Sequence, residues 1–454
     1  MLTNRAATLA LVLAALTLSP AAVARDIYVS SETGQNNNPG TKEAPKKLLW
    51  RVLSELQPGD RVHVAAGTYH GQGKTGVMPK IETSDVVIQG GWNADFSQRD
   101  PFRHLTIISP PGDQQGAGKT VFHAERSDNN LDQVTIDGFC IDRGTGNYYF
   151  SDGEPGANQR IQGHVDNTAW GYQALNVKKS GSDTTVILVG KGRFTVRNMI
   201  IVNSPWWGIY VKCGGAGETL IENNLVLIAG SRGIEAIVGG GWGKPTIRVR
   251  NNTIAFVHTF GSDGRGLSVD PKADNGQVVV ENNVIAFCDE GGVTSKFAPQ
   301  GDALVLRNNQ FFFCKKADFN VGGNGLCNAG DFEDELTIND ASGNVHALPA
   351  FPARMHQAWV DKYTAREVDY LAGGKITQEE IMAVRQSIGL SEYRLHGYDR
   401  TFPDYRSLPQ KRPNYSHGRY PHPMTQGSLI DFAATVTPII GADGERGVRP
   451  IQSE

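Results

Sequence analysis

The sequence predicts an all-β fold, a solenoid of short parallel strands wound as a parallel β-helix. Three observations predict it. First, one phrase comes round five times between residues 194 and 322: Phe194-Thr-Val-Arg-Asn-Met-Ile-Ile, Leu220-Ile-Glu-Asn-Asn-Leu-Val-Leu, Ile247-Arg-Val-Arg-Asn-Asn-Thr-Ile, Val278-Val-Val-Glu-Asn-Asn-Val-Ile and Leu304-Val-Leu-Arg-Asn-Asn-Gln-Phe. Second, its charged residues fall at 197, 222, 250, 281 and 307, in steps of 25, 28, 31 and 26. A unit of that length buries its apolar face only by stacking on the next one. Third, each phrase is two short runs rich in β-branched and large apolar residues on either side of an Asn pair, which marks a turn. A further short run follows after a variable loop: Gly208-Ile-Tyr-Val-Lys, Gly233-Ile-Glu-Ala-Ile, Gly266-Leu-Ser-Val-Asp and Gly292-Val-Thr-Ser-Lys. Three strands per turn make one coil, and stacked Asn side chains are expected to hydrogen-bond up the column.

The flanking segments are read in order. Over 1–24, Arg5 precedes an apolar run from Ala6 to Leu18, and Ala22-Val-Ala24 is a small-residue cleavage site. This is the pattern of a secretory signal, and the run is too short for a membrane span. A periplasmic or secreted protein with no membrane span is expected. Residues 25–80 form an N-terminal cap and first coil: the strand Asp26-Ile-Tyr-Val, an Asn-Pro-Gly loop, a helix around 46–56 that covers the open end of the solenoid, and a strand after Gln57-Pro-Gly-Asp. Residues 81–334 hold the β-helix, with an insertion at 146–183 placed after the third strand of its coil. Residues 335–454 form an irregular C-terminal region packed on the solenoid, with a helix at 377–388 begun by Thr377 and a tail at 393–425 rich in Tyr, His, Arg and Pro.

Composition excludes some functions. The net charge of −3 over 454 residues gives nucleic acid nothing to bind. Gly112-Asp-Gln-Gln-Gly-Ala-Gly-Lys119-Thr120 has Asp113 where a phosphate-binding loop needs its first Gly, so nucleotide binding is rejected. The five Cys have no zinc spacing. Cys288 and Cys314 hold the same place in successive repeats and should stack, as a disulfide or as two thiols. A monomer is expected.

Side chains alternate along a strand. With Ile209, Ile234, Leu267 and Val293 inward, Tyr210, Glu235, Ser268 and Thr294 form one outward column, and Lys212, Asp270 and Lys296 a second. The loops entering these strands add Trp206, Trp207, Arg232, His258, Asp263, Arg265, Asp289 and Glu290. Aromatic faces suit sugar rings, and Arg suits carboxylates.

The Asn-Asn-X-Ile and Gly-Ile-X-X pair resembles the right-handed parallel β-helix of the pectate-lyase-like superfamily. The order Asn-Pro-Gly-Thr, Pro-Gly-Asp-X-Val, Ala-Gly-Thr-Tyr near the N-terminus is similar to that of polysaccharide-lyase-type β-helices. The resemblance implies an enzyme on an acidic, uronic-acid-containing polysaccharide that works by β-elimination. A cation or Arg then neutralises the carboxylate and a basic side chain removes the neighbouring ring proton. On these positions Lys212 or Lys296 is the base, crowded by Arg265, with His258 in competition. Glu235 and Asp270 are further catalytic candidates, Trp206, Trp207, Tyr210 and Arg232 bind substrate, and Asp263, Asp270 and Glu235 would hold Ca²⁺. The chain lacks a three-Asp cluster and a Gly-His-Gly, the Glu-X-Glu calcium pair of the resembling lyases is absent from these candidate strands, and Val269-Asp270-Pro271-Lys272 only echoes Asp-Pro-His-Asp. A C5-epimerase therefore stays open. So does a hydrolase using Glu235 with Asp270 or Asp263, and so does a non-catalytic glycan- or metal-binding module, for which His396, His417 and His422 speak.

Overall fold

The computed structural model describes residues 24–72, 77–108, 120–142, 147–149, 172–174, 184–204, 206–229, 231–257, 264–271, 276–288, 291–314, 317–321, 324–326, 329–347 and 446–448. Outside them lie the expected leader apart from Ala24, the loop before Thr120, the helix at 377–388 and the tail at 393–425. Among the described residues no helix is long and apolar enough to cross a membrane.

The chain winds as the expected right-handed parallel β-helix. A ten-strand sheet runs from Asp26–Val29 and Arg61–Ala65 through Phe194–Arg197, Gly217–Glu222, Pro245–Arg250, Gln277–Glu281 and Gly301–Arg307 to Ile338–Asp340. A nine-strand sheet includes Phe139–Asp142, Ile200–Ser204, Leu225–Ala229, Thr253–Val257, Val284–Cys288, Gln310–Cys314 and Val345–His346. An eight-strand sheet holds Phe122–Glu125, Val186–Gly190, Trp207–Cys213, Arg232–Val238, Arg265–Asp270, Gly291–Ser295, Ala317–Val321 and, antiparallel at its end, Asn324–Leu326. Each coil takes one strand from each sheet, and one apolar cluster fills the interior. The short helix Leu49–Leu53 buries Leu49, Val52 and Leu53 against that cluster at the N-terminal end. The solenoid runs past residue 334, because Ile338–Asp340 and Val345–His346 pair with the coil before them.

Two columns of Asn make the turn between the first two strands. The first turn residue, Asn at 198, 223, 251, 282 and 308, has φ between +53° and +56°, a region that Asn tolerates, and in all but the first of these turns a second Asn follows. The second is buried and bonds to its counterpart one coil on. Asn224 Nδ2 donates to Asn252 Oδ1 at 2.9 Å, Asn252 to Asn283 at 3.0 Å, Asn283 to Asn309 at 2.9 Å and Asn309 to Asn344 at 2.9 Å. The same amides donate to backbone carbonyls, so polar groups are satisfied inside the coil.

The glycine that opens each third strand has a packing cause. A Cβ on Gly233 would lie 2.3 Å from Ile254 Cγ2 and 2.6 Å from the Gly266 carbonyl oxygen; on Gly266 it would lie 2.4 Å from Ile285 Cγ2. The glycine and the residue after it both face inward, so the strand can only tuck under its neighbour where a side chain is missing.

On the outer side of the ten-strand sheet the charges alternate in sign: Asp137, Arg197, Glu222, Arg250, Glu281 and Arg307 stand in register on successive strands. Arg197 Nε reaches Asp137 at 2.8 Å, Arg250 Nη2 reaches Glu222 at 2.8 Å, and Arg307 Nη2 reaches Glu281 at 2.7 Å, with Asp340 closing the row at 3.3 Å from Arg307. A pairing that skipped a coil would set Arg beside Arg, so the ladder selects against that slip.

One expectation changes and one open alternative is decided. The insertion leaves after the second strand of its coil, Phe139–Asp142, and the chain re-enters through the third, Val186–Gly190. The reason is that Val186–Gly190 pairs in register with Phe122–Glu125 and Trp207–Cys213 and so completes the coil. Of the two outcomes left open for Cys288 and Cys314, the structure shows buried thiols, opposite each other on adjacent strands.

Asn283→Ala removes an amide with buried partners on both sides and should cost about 1–3 kcal/mol or more, whereas Asn282→Gly, at φ +56°, should cost a few tenths at most. Denaturant unfolding of both variants checks the contrast. The Glu281 carboxyl lies below its ordinary 4.5: burial pushes it up, but hydrogen bonds from Arg307 and Arg248 outweigh that. A folded value below the unfolded one stabilises the fold fully above about 4.5, and that contribution is lost as pH falls through the folded value. Melting temperature should therefore fall across that acid window, and less steeply in Glu281→Gln.

Candidate functional site on the outer wall of the eight-strand sheet

Strand register turns the scattered candidates into rows. Trp207, Arg232 and Arg265 stand opposite one another and open their strands, rather than lying in the loops before them. Tyr210, Glu235, Ser268 and Thr294 follow as a second row, as expected from alternation. Lys212, Ile237 and Asp270 form a third, and Lys296 comes directly after the strand that ends at Ser295. The inward residues between them, Ile209, Val211, Ile234, Ala236, Leu267 and Val269, belong to the core. The rows are thus pinned by burial on their other face.

The centre of the wall is a tight aromatic and ionic cluster. Trp207 stacks on Tyr210 with ring centroids 5.2 Å apart, and the Arg232 guanidinium sits 4.8 Å over the Trp207 ring. Arg232 also pairs with Glu235, whose side chain is only 8% exposed. Trp206, 9% exposed, lies 6.1 Å from Trp207 and seals the edge beside it. Burial pushes the Tyr210 phenol up to about 12; the Glu235 carboxylate adds to this, Arg232 opposes it, and Glu125 adds a smaller part. Tyr210 therefore carries its proton at neutral pH.

The two candidate lysines share a setting that the sequence did not reveal. Lys212 Nζ lies 4.9 Å over the ring of Trp242, and Lys296 Nζ lies 5.2 Å over that of Phe297. Trp242 has a made seat, since a Cβ on Gly214 would meet its Cβ at 2.1 Å and one on Gly239 would meet its ring at 2.5 Å. Phe297 is 46% exposed. Cations over aromatic faces flank Asp270 along this edge of the wall.

The wall also extends further toward the N-terminus than the repeated phrase suggests. His123 and Glu125 face out from Phe122–Glu125, in register with Ile187 and Val189 and, one strand on, with Tyr210 and Lys212. His123 Nε2 lies 3.0 Å from Glu125 Oε2, and Lys80 Nζ lies 3.2 Å from the same oxygen. Burial holds the His123 imidazole below its ordinary 6.5; Glu125 works against this, and Lys80 adds to it. The signal was legible in Phe122-His-Ala-Glu, whose alternation puts His and Glu on one face. It lies before the insertion and lacks the Asn pair, so the repeat did not lead to it.

Other candidates are not brought together. His258, Asp263, Asp289 and Glu290 lie outside the described residues. Of the expected Ca²⁺ ligands, Glu235 is engaged with Arg232, and Asp270 stands two residues further along the next strand. Among the described residues no three His, Cys, Asp or Glu side chains come together as a metal site.

No protein-family model and no curated protein matches the sequence. Three solved structures are similar to it. XylC in complex with xylose is 12% identical, with 65% of this chain and 63% of that one covered and a TM-score of 0.39. Pectate lyase Pel9A is 12% identical, with 70% and 79% covered and a TM-score of 0.33. The GH136 lacto-N-biosidase from Eubacterium ramulus is 11% identical, with 71% and 68% covered and a TM-score of 0.32. The chain thus spans less than two thirds of the first of these and more than two thirds of the other two. The three sheets establish the parallel β-helix architecture by themselves.

Arg232→Ala strips a poorly exposed carboxylate of its guanidinium and should cost about 3 kcal/mol. The double variant Arg232→Met with Glu235→Leu removes both charges and should regain most of that loss. Denaturant unfolding of the single and double variants measures the difference.

Proposed function

We infer that this chain is an enzyme of an acidic polysaccharide that cleaves it by β-elimination, exported to the periplasm or the medium. One observation carries the reading: Arg232, Arg265, Lys212 and Lys296 share one outer wall with Trp207, Tyr210, Trp242 and Phe297, in rows set by strand register. Coils rise by about 4.8 Å, so Lys212 and Lys296, three coils apart, lie about 14 Å from each other along the axis. A linear polymer laid along the wall meets repeated cations and ring faces. Such a surface suits a chain whose every unit carries a carboxylate and a sugar ring.

In this reading the cations hold carboxylates. Neutralising that group acidifies the adjacent ring proton, which is the costly step of the elimination. Arg265 stands one strand beyond Arg232 and two beyond Trp207, so it faces the middle of a bound chain. Lys212 and Lys296, each resting on an aromatic ring, act as carboxylate clamps rather than as the base. Tyr210, protonated at neutral pH, can give a proton to the departing glycosidic oxygen. Hydrolysis finds less support, because Glu235 is tied to Arg232 and Asp270 stands two residues further along the next strand.

The test is a panel of polygalacturonate, alginate and chondroitin, read by the near-ultraviolet absorbance of an unsaturated product. At least one polymer should yield it; reducing ends without that absorbance would indicate hydrolysis, and binding without any product a non-catalytic module. On the active polymer, Lys212→Ala and Arg265→Ala should each raise KM by about tenfold or more, the loss of a charge-assisted contact. Unchanged KM in both would remove the clamp assignment.

A further inference from the structure

Carboxylate clamping leaves one group on the wall without a role, the imidazole of His123. We propose that His123 is the base of the elimination, oriented by Glu125, and that it acts on a sugar unit lying across Ile187 and Val189 with the Tyr210 hydroxyl on the far side. The proposal rests on the lyase reading and names the proton acceptor within it.

Geometry comes first. His123, Ile187 and Tyr210 stand opposite one another on three successive strands, and Glu125, Val189 and Lys212 do the same two residues on. Two strand spacings put His123 and Tyr210 about 10 Å apart along the axis. The rung between them is wholly apolar, and the rungs on either side are polar. A pyranose offers C–H groups on its faces and oxygens at its rim. A ring placed on Ile187 and Val189 meets His123 and Glu125 at one edge and Tyr210 and Lys212 at the other. Elimination needs a base and a proton donor on either side of one sugar linkage, with a cation for the carboxylate.

The state of His123 suits the role. An ionised Glu125 can only accept, so Nε2 carries the hydrogen and Nδ1 keeps the lone pair. The side chain is 32% exposed, which leaves an edge of the ring open to substrate. The groups facing it are Glu125 on its own strand, Lys80 and Glu82 from the segment bridged at Ile81, and Tyr210 beyond Ile187. Burial and Lys80 favour the neutral ring, and Glu125 and Glu82 oppose them less strongly. A neutral imidazole at neutral pH is a competent base.

The step balances. Nδ1 takes the proton from the ring carbon that bears the carboxylate. That C–H electron pair becomes the new C=C bond while the bond from the neighbouring carbon to the glycosidic oxygen breaks. The Tyr210 hydroxyl protonates the departing oxygen. Imidazolium and phenolate then return to their starting forms by proton exchange with water, and no oxidant or further reactant is needed.

The experiment uses the full chain on whichever of polygalacturonate, alginate or chondroitin it cleaves. His123→Ala should lower kcat about 100-fold or more with the melting temperature unchanged, and added imidazole should restore part of the loss. In the native chain kcat/KM should fall on the acid side of a limb lying below the ordinary imidazole value, since the base must be unprotonated. Glu125→Gln keeps the hydrogen bond and removes the charge that raises the imidazole, so it should move that limb to lower pH. A His123→Ala enzyme with near-native kcat overturns the proposal. So does a loss of activity that imidazole does not restore, together with an unmoved limb in Glu125→Gln. If the native chain yields no unsaturated product from any polymer, the lyase reading itself fails and the base falls with it.

Discussion

The rest of this structure depends on the amide ladder through Asn224, Asn252, Asn283, Asn309 and Asn344. Each side chain accepts from the backbone of the coil below, all but the last, Asn344, donate into the coil above, and all are buried. A buried amide left without partners is costly, so the coils can slide neither along nor across one another. Register follows, and register decides which side chains share a row on the outside. The Asn turns join the first two strands of a coil, so the ladder lies outside the loops of variable length that make the coil steps unequal.

Two outer faces obey the same register and use it differently. On the ten-strand sheet every charge has opposite charges on the neighbouring strands, so the surface neutralises itself and favours correct coil order. On the eight-strand sheet the rows mix cations, aromatic rings and few carboxylates, and the cations lean on rings. Self-neutralisation suits a structural face. A row of cations cushioned on aromatic rings is complementary to a polyanion with flat units. The inward glycines link the two properties, because tucking Gly208, Gly233, Gly266 and Gly292 under the neighbouring side chains brings the row of Trp207, Arg232 and Arg265 close beside the row of Tyr210 and Glu235.

Much of the fold could be read from residues. The repeated Asn pair, the Gly-Ile run and strict alternation are local signals, and the three sheets, the left-handed Asn positions and the inward and outward assignments of Tyr210, Glu235 and Ile234 match them. The site was legible only in part. Lys212 and Asp270 were placed in one row correctly because spacing alone determines that. The partners of the lysines were not legible: Trp242 belongs to the turn after the next strand, and no periodicity links it to Lys212. His123 was missed for a related reason, since the insertion at 146–183 stands between its strand and the next strand of the sheet.

The sequence by itself determined the repeat, hence a coil of three strands, hence which residues face the core, because burying every second side chain is a local rule written in each strand. The tertiary structure decided which outward residues are neighbours, because that depends on how many residues each loop takes to return to the same sheet. It also decided that Lys212 rests on Trp242, because that contact joins two coils, whereas the pairing of Glu235 with Arg232 lies within one strand.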